Sequence, residues 1–220
     1  MKIACITTVL SLALLFSGCA TTKSLSSAER ATVKSVSLNP TVPMPTWVYY
    51  LSQSQALAGG LGGAAGGAIG AAGESENQKA FTAILGRSGL DMPKELLSSF
   101  AAQLKQKGVV VSEHPSENQF ELQVRMIGLA VPNGFYSGLR PVLVVVAILK
   151  DSSGKVIFQN HASCGNLSSK TKRHTLKEYD AQPELLAKEY RAAINAVAED
   201  LADDFMAGAS AVAPVQPPAN

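Results

Sequence analysis

Two serines stand three residues ahead of a lysine, in Ser152-x-x-Lys155 and Ser169-x-x-Lys172. That spacing is the one that sets a hydroxyl nucleophile beside an amine base. The first pair falls in an Asp151-Ser152-Ser153-Gly154 turn and the second in a charged loop, and no companion motif accompanies either. Both therefore read as coincidences of spacing. His114, His161 and His174 are scattered, with no two placed one helical turn apart to share a metal. Gly60-x-Gly62-x-x-Ala65 loosely fits a dinucleotide fingerprint. That fingerprint needs a preceding strand, a βαβ unit and an acidic residue about 20 positions on. Here the run leads into a helix opened by Glu74 and Glu76, and no Lys-Ser/Thr pair follows the glycines. The carboxylates sit mostly on helix faces, where solvation accounts for them. Nothing assembles a nucleophile, a base and an oxyanion site, so the chain reads as non-catalytic, with no metal and no dissociable cofactor.

Cys19 is different, because its neighbours are informative. Lys2 gives a short positive start, and Ile3 to Phe16 is almost wholly apolar around Leu10, Leu12, Leu14 and Leu15. That run is too short to span a bilayer, which takes about 20 apolar residues, and it matches the apolar middle of a secretory signal peptide. Phe16-Ser17-Gly18-Cys19 follows. An apolar residue, two small residues and a cysteine resemble the lipobox of bacterial lipoproteins, with Phe16 in place of the usual leucine. The resemblance implies that residues 1–18 are removed, that the Cys19 thiol carries a diacylglyceryl group, and that the new amino terminus is acylated. Each buried CH₂ contributes roughly 0.8 kcal/mol, so two or more chains anchor stably. Ala20 stands where an aspartate would retain such a protein in the inner membrane. The resemblance therefore implies the outer membrane, periplasmic face. The alternative is an ordinary cleaved signal followed by an incidental cysteine.

Removing residues 1–18 from the 220 leaves 202, enough for one domain and its tails, and removing Lys2 takes the formal charge from +2 to +1. Such a balance predicts neither nucleic acid nor a strongly anionic partner. Cys164 then remains as the free thiol, either buried or an intermolecular partner, and its place at the end of an apolar strand favours burial.

The elements around these residues follow from periodicity. Residues 19–31 are Ser/Thr-rich and read as a tether. Thr32 to Leu38 alternates as a first strand, Asn39 to Pro45 carries three prolines, and Trp47 to Leu51 is again β-prone. From Ser35 to Gly73 there is no Asp, Glu, Lys, Arg or His, and Ala56 to Ala72 contains only Ala, Gly, Leu and Ile. On a helix, Gly59, Gly63 and Gly67 fall beside Gly62, Gly66 and Gly70, with Leu57, Leu61, Ala64, Ala68 and Ala72 opposite. Such a small-residue stripe allows close helix packing in membranes. The same glycines also suit a flexible loop.

Ser75-x-x-Gln78 is a capping-box pattern opening a helix to about Arg87. Asp91 and Pro93 open a second helix that Gly108 ends. Val109 to Ser112 is a short strand. Phe120, Leu122, Val124 and Met126 alternate with polar residues until a bulge expected at Gly128. Val142 to Leu149 is continuously apolar and predicts a central strand, with Val144 and Val146 in the core beside Phe100 and Leu201. A turn at residues 151–154 leads into Val156 to Cys164. Lys170 to Lys177 is a basic loop, and Pro183 starts a long helix with Leu186, Tyr190, Ile194, Val197, Leu201 and Phe205 on one side. The expected fold is α+β: an antiparallel sheet of four to five strands with helices packed on one face, plus a Gly/Ala-rich hydrophobic segment. One domain over residues 32–206 includes that segment as an insertion at 56–73, and 207–220 is a tail.

Two groups remain as candidate contacts. Phe135 and Tyr136 lie between glycines in a hairpin loop, as binding anchors or as a lid on the core. Lys170, Lys172 and Arg173, with His174 and Lys177, suit lipid phosphates or anionic cell-wall polymer, or form a solvated loop. The whole arrangement resembles small glycine-zipper lipoproteins of the Gram-negative periplasm and, at the level of element order, TolB amino-terminal-like domains of envelope lipoproteins. The resemblance implies a non-catalytic, lipid-anchored module that binds or scaffolds an envelope protein complex. Two other readings stand beside it: a membrane-active homo-oligomer assembled through the glycine face of residues 56–72, and an envelope enzyme of unrecognised type. The membrane, through the lipid on Cys19, and an envelope protein are the expected partners, and nucleic acid is not.

Overall fold

The structure, a computed structural model, describes residues 22–56 and 75–207. Their elements are α1 (Ser27–Thr32), β1 (Ser35–Leu38), β2 (Tyr49–Leu51), α2 (Glu76–Arg87), α3 (Met92–Gln106), β3 (Val110–Ser112), β4 (Gln119–Ala130), β5 (Arg140–Lys150), β6 (Val156–Cys164), α4 (Leu176–Ala181) and α5 (Pro183–Ala207). The helices begin where side chains can satisfy their free N–H groups. Ser75 and Gln78 form the expected reciprocal cap of α2, Asp91 accepts from the Lys94 N–H at the start of α3, and Thr175 and Glu178 cap α4. Proline occupies the first position of α5, where its missing N–H costs nothing. After α3, Gly108 takes a φ of 81°, a left-handed conformation that lets the chain leave the helix.

The fold is α+β, as its element pattern predicts, but the sheet differs from the expectation of four to five antiparallel strands. Among the described residues it has six strands, in the order β3-β1-β4-β5-β6, with β2 also on β4. The long β4–β5 and β5–β6 ladders are antiparallel, whereas β1 pairs with β3 and β4, and β2 with β4, in parallel. Parallel neighbours need a long crossover, and α2 and α3 supply it. β1 and β2 act as one interrupted strand along β4, with β3 on the outer side of β1. Leu38 faces Phe120 and Tyr49 faces Gly128, so eleven steps on one side match eight on the other. The surplus bulges out around Pro43 and Pro45, which lack an N–H to give to the ladder. Val124 still donates to the Pro43 carbonyl at 3.0 Å, while Met44 and Trp47 are pushed into solvent.

The bulge in β4 lies at Arg125, between Val124 and Met126, and not at Gly128. It turns Met126 off the core face and puts Ile127 and Leu129 there instead, 3% and 0% exposed. Gly128 serves another purpose: a Cβ there would lie 2.1 Å from the Tyr49 carbonyl oxygen, so only glycine lets β2 approach. β5 is the central strand expected, with Leu143, Val145, Ala147 and Leu149 all fully buried on the helix side. Val144 and Val146 face the other way. Val146 is buried among its cross-strand neighbours, but Val144 is only half-buried, which corrects its placing in the core. Phe100 and Leu201 are buried as expected. On the core side Phe120 is the hub, edge-on to Phe100 (5.1 Å), Phe158 (6.1 Å) and Phe205 (5.2 Å).

Residues 22–31 do not form the tether expected for 19–31. Lys23 and Gln159 exchange both backbone hydrogen bonds in an antiparallel bridge on the outer side of β6, and the Lys23 ammonium donates to the Val156 carbonyl. Leu25 is 1% exposed in the core. Arg30 of α1 donates to the Phe205 carbonyl at 2.5 Å, near the C-terminus of α5, where the helix dipole favours a cation. A Ser/Thr-rich composition does not reveal this, because one buried leucine and two main-chain bonds suffice to fix the segment. The expected signal segment 1–18, Cys19, all but Ala56 of the insertion expected at 56–73, and the tail after residue 207 lie outside the described residues.

Candidate functional site

Two loops leave the same end of the sheet. The β4–β5 loop spans residues 131–139 and the β6–α4 loop spans 165–175. The first contains no charged residue, and the second contains three cations and no carboxylate. They are locked together at several points. Leu139 and His174 exchange backbone hydrogen bonds of 2.8 and 3.1 Å. The Asn166 side chain donates to the Val131 carbonyl at 2.6 Å, and Arg140 reaches back to the Asn166 carbonyl at 3.4 Å. Gly138 lies so close to Arg173 that a Cβ there would stand 2.9 Å from the Arg173 Cβ.

A buried carboxylate holds the basic loop to α5. Glu189 is 4% exposed, accepts from the Lys172 N–H at 2.6 Å, and has His174 Nε2 at 3.7 Å. That second distance is too long for a hydrogen bond, so it is a charge approach, present when the imidazole is protonated. Thr171 is buried at 2% exposure beside this pair in sequence. Burial, with the nearby Glu189 and Glu178 charges, pushes the Tyr179 hydroxyl well above the ordinary tyrosine range. His174, one of the three scattered histidines, packs edge-on to Tyr179 at 5.3 Å and pins a loop.

The sequence-predicted contacts are brought together in part. Phe135 is 85% exposed and Tyr136 47%, so neither closes over the core. Arg173 lies over the Tyr136 ring at 4.5 Å from its centroid, a cation–π pair joining the two loops. Lys172 is exposed on the same loop. Lys170 is drawn aside, its ammonium 3.7 Å from Glu199 of α5. Lys177 belongs to α4 and not to the loop. Leu167, 76% exposed between Asn166 and the cations, is part of this end and was missed, since a single leucine carries no periodic signal. Met44 and Trp47 were missed as exposed apolar residues for the same reason. The glycines Gly59, Gly62, Gly63, Gly66, Gly67 and Gly70, and the expected acyl site Cys19, fall outside the described residues.

Other chemistry finds little to use in the described residues. No three His, Cys, Asp or Glu side chains among them gather as a metal site. Cys164 is free and buried, and burial pushes its thiol up, away from the reactive thiolate. Ser153 and Lys155 donate their N–H groups to Asp151 in the β5–β6 turn, so this Ser/Lys region is a structural turn. A groove of about 550 Å³ runs beside α3 and α5, lined by polar groups. The bidentate Arg191–Glu95 pair (2.8 and 2.9 Å) and the Ser99–Asn195 bond join the two helices there, making it a solvent-open seam between them. No described helix is long and apolar enough to cross a membrane.

No protein-family pattern matches the chain, and no curated protein sequence is similar to it. Among solved structures, the chain is similar to a minor lipoprotein from Acinetobacter baumannii, at 14% identity over 80% of this chain and 94% of that one, with a TM-score of 0.42. It is also similar to a Xanthomonas campestris protein of the DUF330 family, at 17% identity over 52% of this chain and 61% of that one, with a TM-score of 0.37. PelC of Paraburkholderia phytofirmans, solved as a dodecamer, is similar at 13% identity over 70% and 84% of the two chains, with a TM-score of 0.28.

Proposed function

We propose that this chain is a lipid-anchored envelope module, carried by acyl chains on Cys19 at the periplasmic face of the outer membrane, which acts by binding and not by catalysis. The observation that carries the reading is the N-terminal order of Lys2, an apolar run to Phe16, Ser17-Gly18 and Cys19, followed by Ala20. The fold adds a consequence. Lys23 is already hydrogen-bonded into the sheet edge four residues after Cys19, so the domain is mounted directly on its anchor. A module held this way presents one end to the bilayer and the other to the periplasm, which suits a scaffold for an envelope protein complex. The exposed aromatic and basic side chains of the clamped loops suit a binding role.

Membrane fractionation of cells expressing Cys19→Ala tests the anchor. The variant is expected to leave the outer-membrane fraction or to accumulate as unprocessed precursor. A variant that remains in the outer membrane in mature form at the wild-type level contradicts the proposal.

A further inference from the structure

The direction in which the chain enters the sheet locates the anchor relative to the loops. The Lys23–Gln159 bridge is antiparallel. Going back from Lys23 to Thr22, the chain therefore heads the same way as β6 running from Gln159 to Cys164, toward the end where the clamped loops lie. Cys19 is three residues beyond Thr22, and three extended residues span at most about 11 Å. The described chain thus leaves the sheet edge heading toward the side of the molecule that carries Phe135, Tyr136, Leu167, Lys172 and Arg173.

That end has the composition of a membrane-contacting surface. Phe135 and Leu167 are 85% and 76% exposed, among the most exposed large apolar side chains described. Tyr136 has an apolar ring with a polar tip, the type that favours the lipid–water interface. The cations beside them have no carboxylate in either loop, and each cation near an anionic bilayer contributes about 1 kcal/mol. The hydrogen bonds between the loops, and the Glu189 hold on Lys172, fix these side chains as one platform.

We propose that the tips of the β4–β5 and β6–α4 loops dock on the anionic headgroup surface of the bilayer that holds the Cys19 lipid, with Phe135 and Leu167 entering the interface and Lys172 and Arg173 meeting lipid phosphates. The proposal rests on the reading of Cys19 as acylated. It fixes the orientation of the domain: β3 and the start of β4 face away from the membrane, and the lipid and the loops together form a two-part attachment.

The test uses the acylated protein reconstituted into vesicles of phosphatidylethanolamine and phosphatidylglycerol whose acyl chains are brominated. Trp47 is first replaced by phenylalanine, and an indole probe is then introduced by Phe135→Trp or, at the far end of the sheet, by Val110→Trp. Both sites are exposed, at 85% and 61%, so each variant is expected to keep the parent circular dichroism spectrum. Bromine should quench most of the fluorescence of the Phe135→Trp protein and little of that of the Val110→Trp protein. Lys172→Gln with Arg173→Gln, or phosphatidylcholine in place of the anionic lipid, should weaken that quenching. Mass spectrometry of the N-terminal peptide reads the anchor separately. An acylated Cys19 with an unquenched Phe135→Trp probe overturns the docking proposal alone and leaves the loops to a soluble partner, or to a second copy if the protein runs as a dimer. Equal quenching at both sites overturns the orientation. An unacylated Cys19 overturns the anchor, and the docking surface with it.

Discussion

The Arg173 guanidinium stands 4.5 Å from the centroid of the Tyr136 ring, linking two loops that are 37 positions apart in sequence. Both side chains stay exposed, so the pair couples the loops without burying either. An exposed cation–π pair contributes about 0.5–1 kcal/mol. A double-mutant cycle with Arg173→Gln and Tyr136→Leu should return a coupling of that size in denaturant unfolding. A coupling of zero would mean that the Leu139–His174 backbone bonds and the Asn166 contacts hold the loops together without it.

Gly128 and Gly86 should respond oppositely to alanine. At Gly128 the new Cβ would strike the Tyr49 carbonyl at 2.1 Å, whereas at Gly86 of α2 nothing lies within 4 Å. Gly128→Ala must push β2 off β4 or distort the ladder, and should lower stability by about 1–3 kcal/mol. It should also disturb the bond from the Tyr190 hydroxyl to the Gly128 carbonyl, now 2.6 Å. Gly86→Ala should raise stability by about 0.5–1 kcal/mol through helix propensity. Thermal unfolding of both variants checks the pair of signs.

Leu201→Ala and Val144→Ala separate the two faces of the sheet. Leu201, on the buried side of α5, is 0% exposed, and its truncation should cost about 2–5 kcal/mol. Val144 is half-buried on the opposite face, so its truncation should cost clearly less. Equal losses in a urea titration would mean that the second face is covered as tightly as the first.

Asp200 gives a pH dependence of defined sign. Burial, then the neighbouring Glu199 and Asp203 charges on α5, raise its carboxyl above the ordinary 3.8, while Lys170 from the basic loop lowers it. A carboxyl with a raised folded-state pKa binds its proton more tightly in the native protein than in the unfolded chain. Its ionised form therefore disfavours folding, and the cost appears as pH rises above the ordinary value and is complete above the raised one. Asp200→Asn should raise the Tm at pH 7, and the gain should disappear below pH 3.8. A Tm unchanged at neutral pH would show that Lys170 fully offsets the repulsion.

Features read well from the sequence were those governed by local chemistry. Ser75-x-x-Gln78, Asp91 and Pro183 mark helix starts because capping acts across three or four residues, and the Asp151–Gly154 turn marks a hairpin for the same reason. Features read poorly depend on partners distant in sequence. A slip in the alternation of β4 shows that a bulge exists, but whether it falls at Arg125 or Gly128 is settled by the pairing of Val124 with Val145 and of Met126 with Val144. The parallel sense of β1 and β2 is set by where α2 and α3 return the chain. In the candidate surface, Phe135, Tyr136, Lys172 and Arg173 were visible as residue types. Their convergence was not, because the clamp is built from main-chain bonds and from Glu189, which reads as a solvated helix carboxylate. The bridge from Lys23 to β6 was hidden too, since residues 22–25 show no strand pattern and are placed by Lys23 and Leu25.

The account stands on the chemical state of Cys19, which one measurement reads directly. Mass spectrometry of the N-terminal peptide from protein purified out of its native membrane should show a chain beginning at Cys19, with acyl chains on both the thiol and the amino group. A peptide that begins elsewhere, or a Cys19 that carries a free thiol, would contradict it.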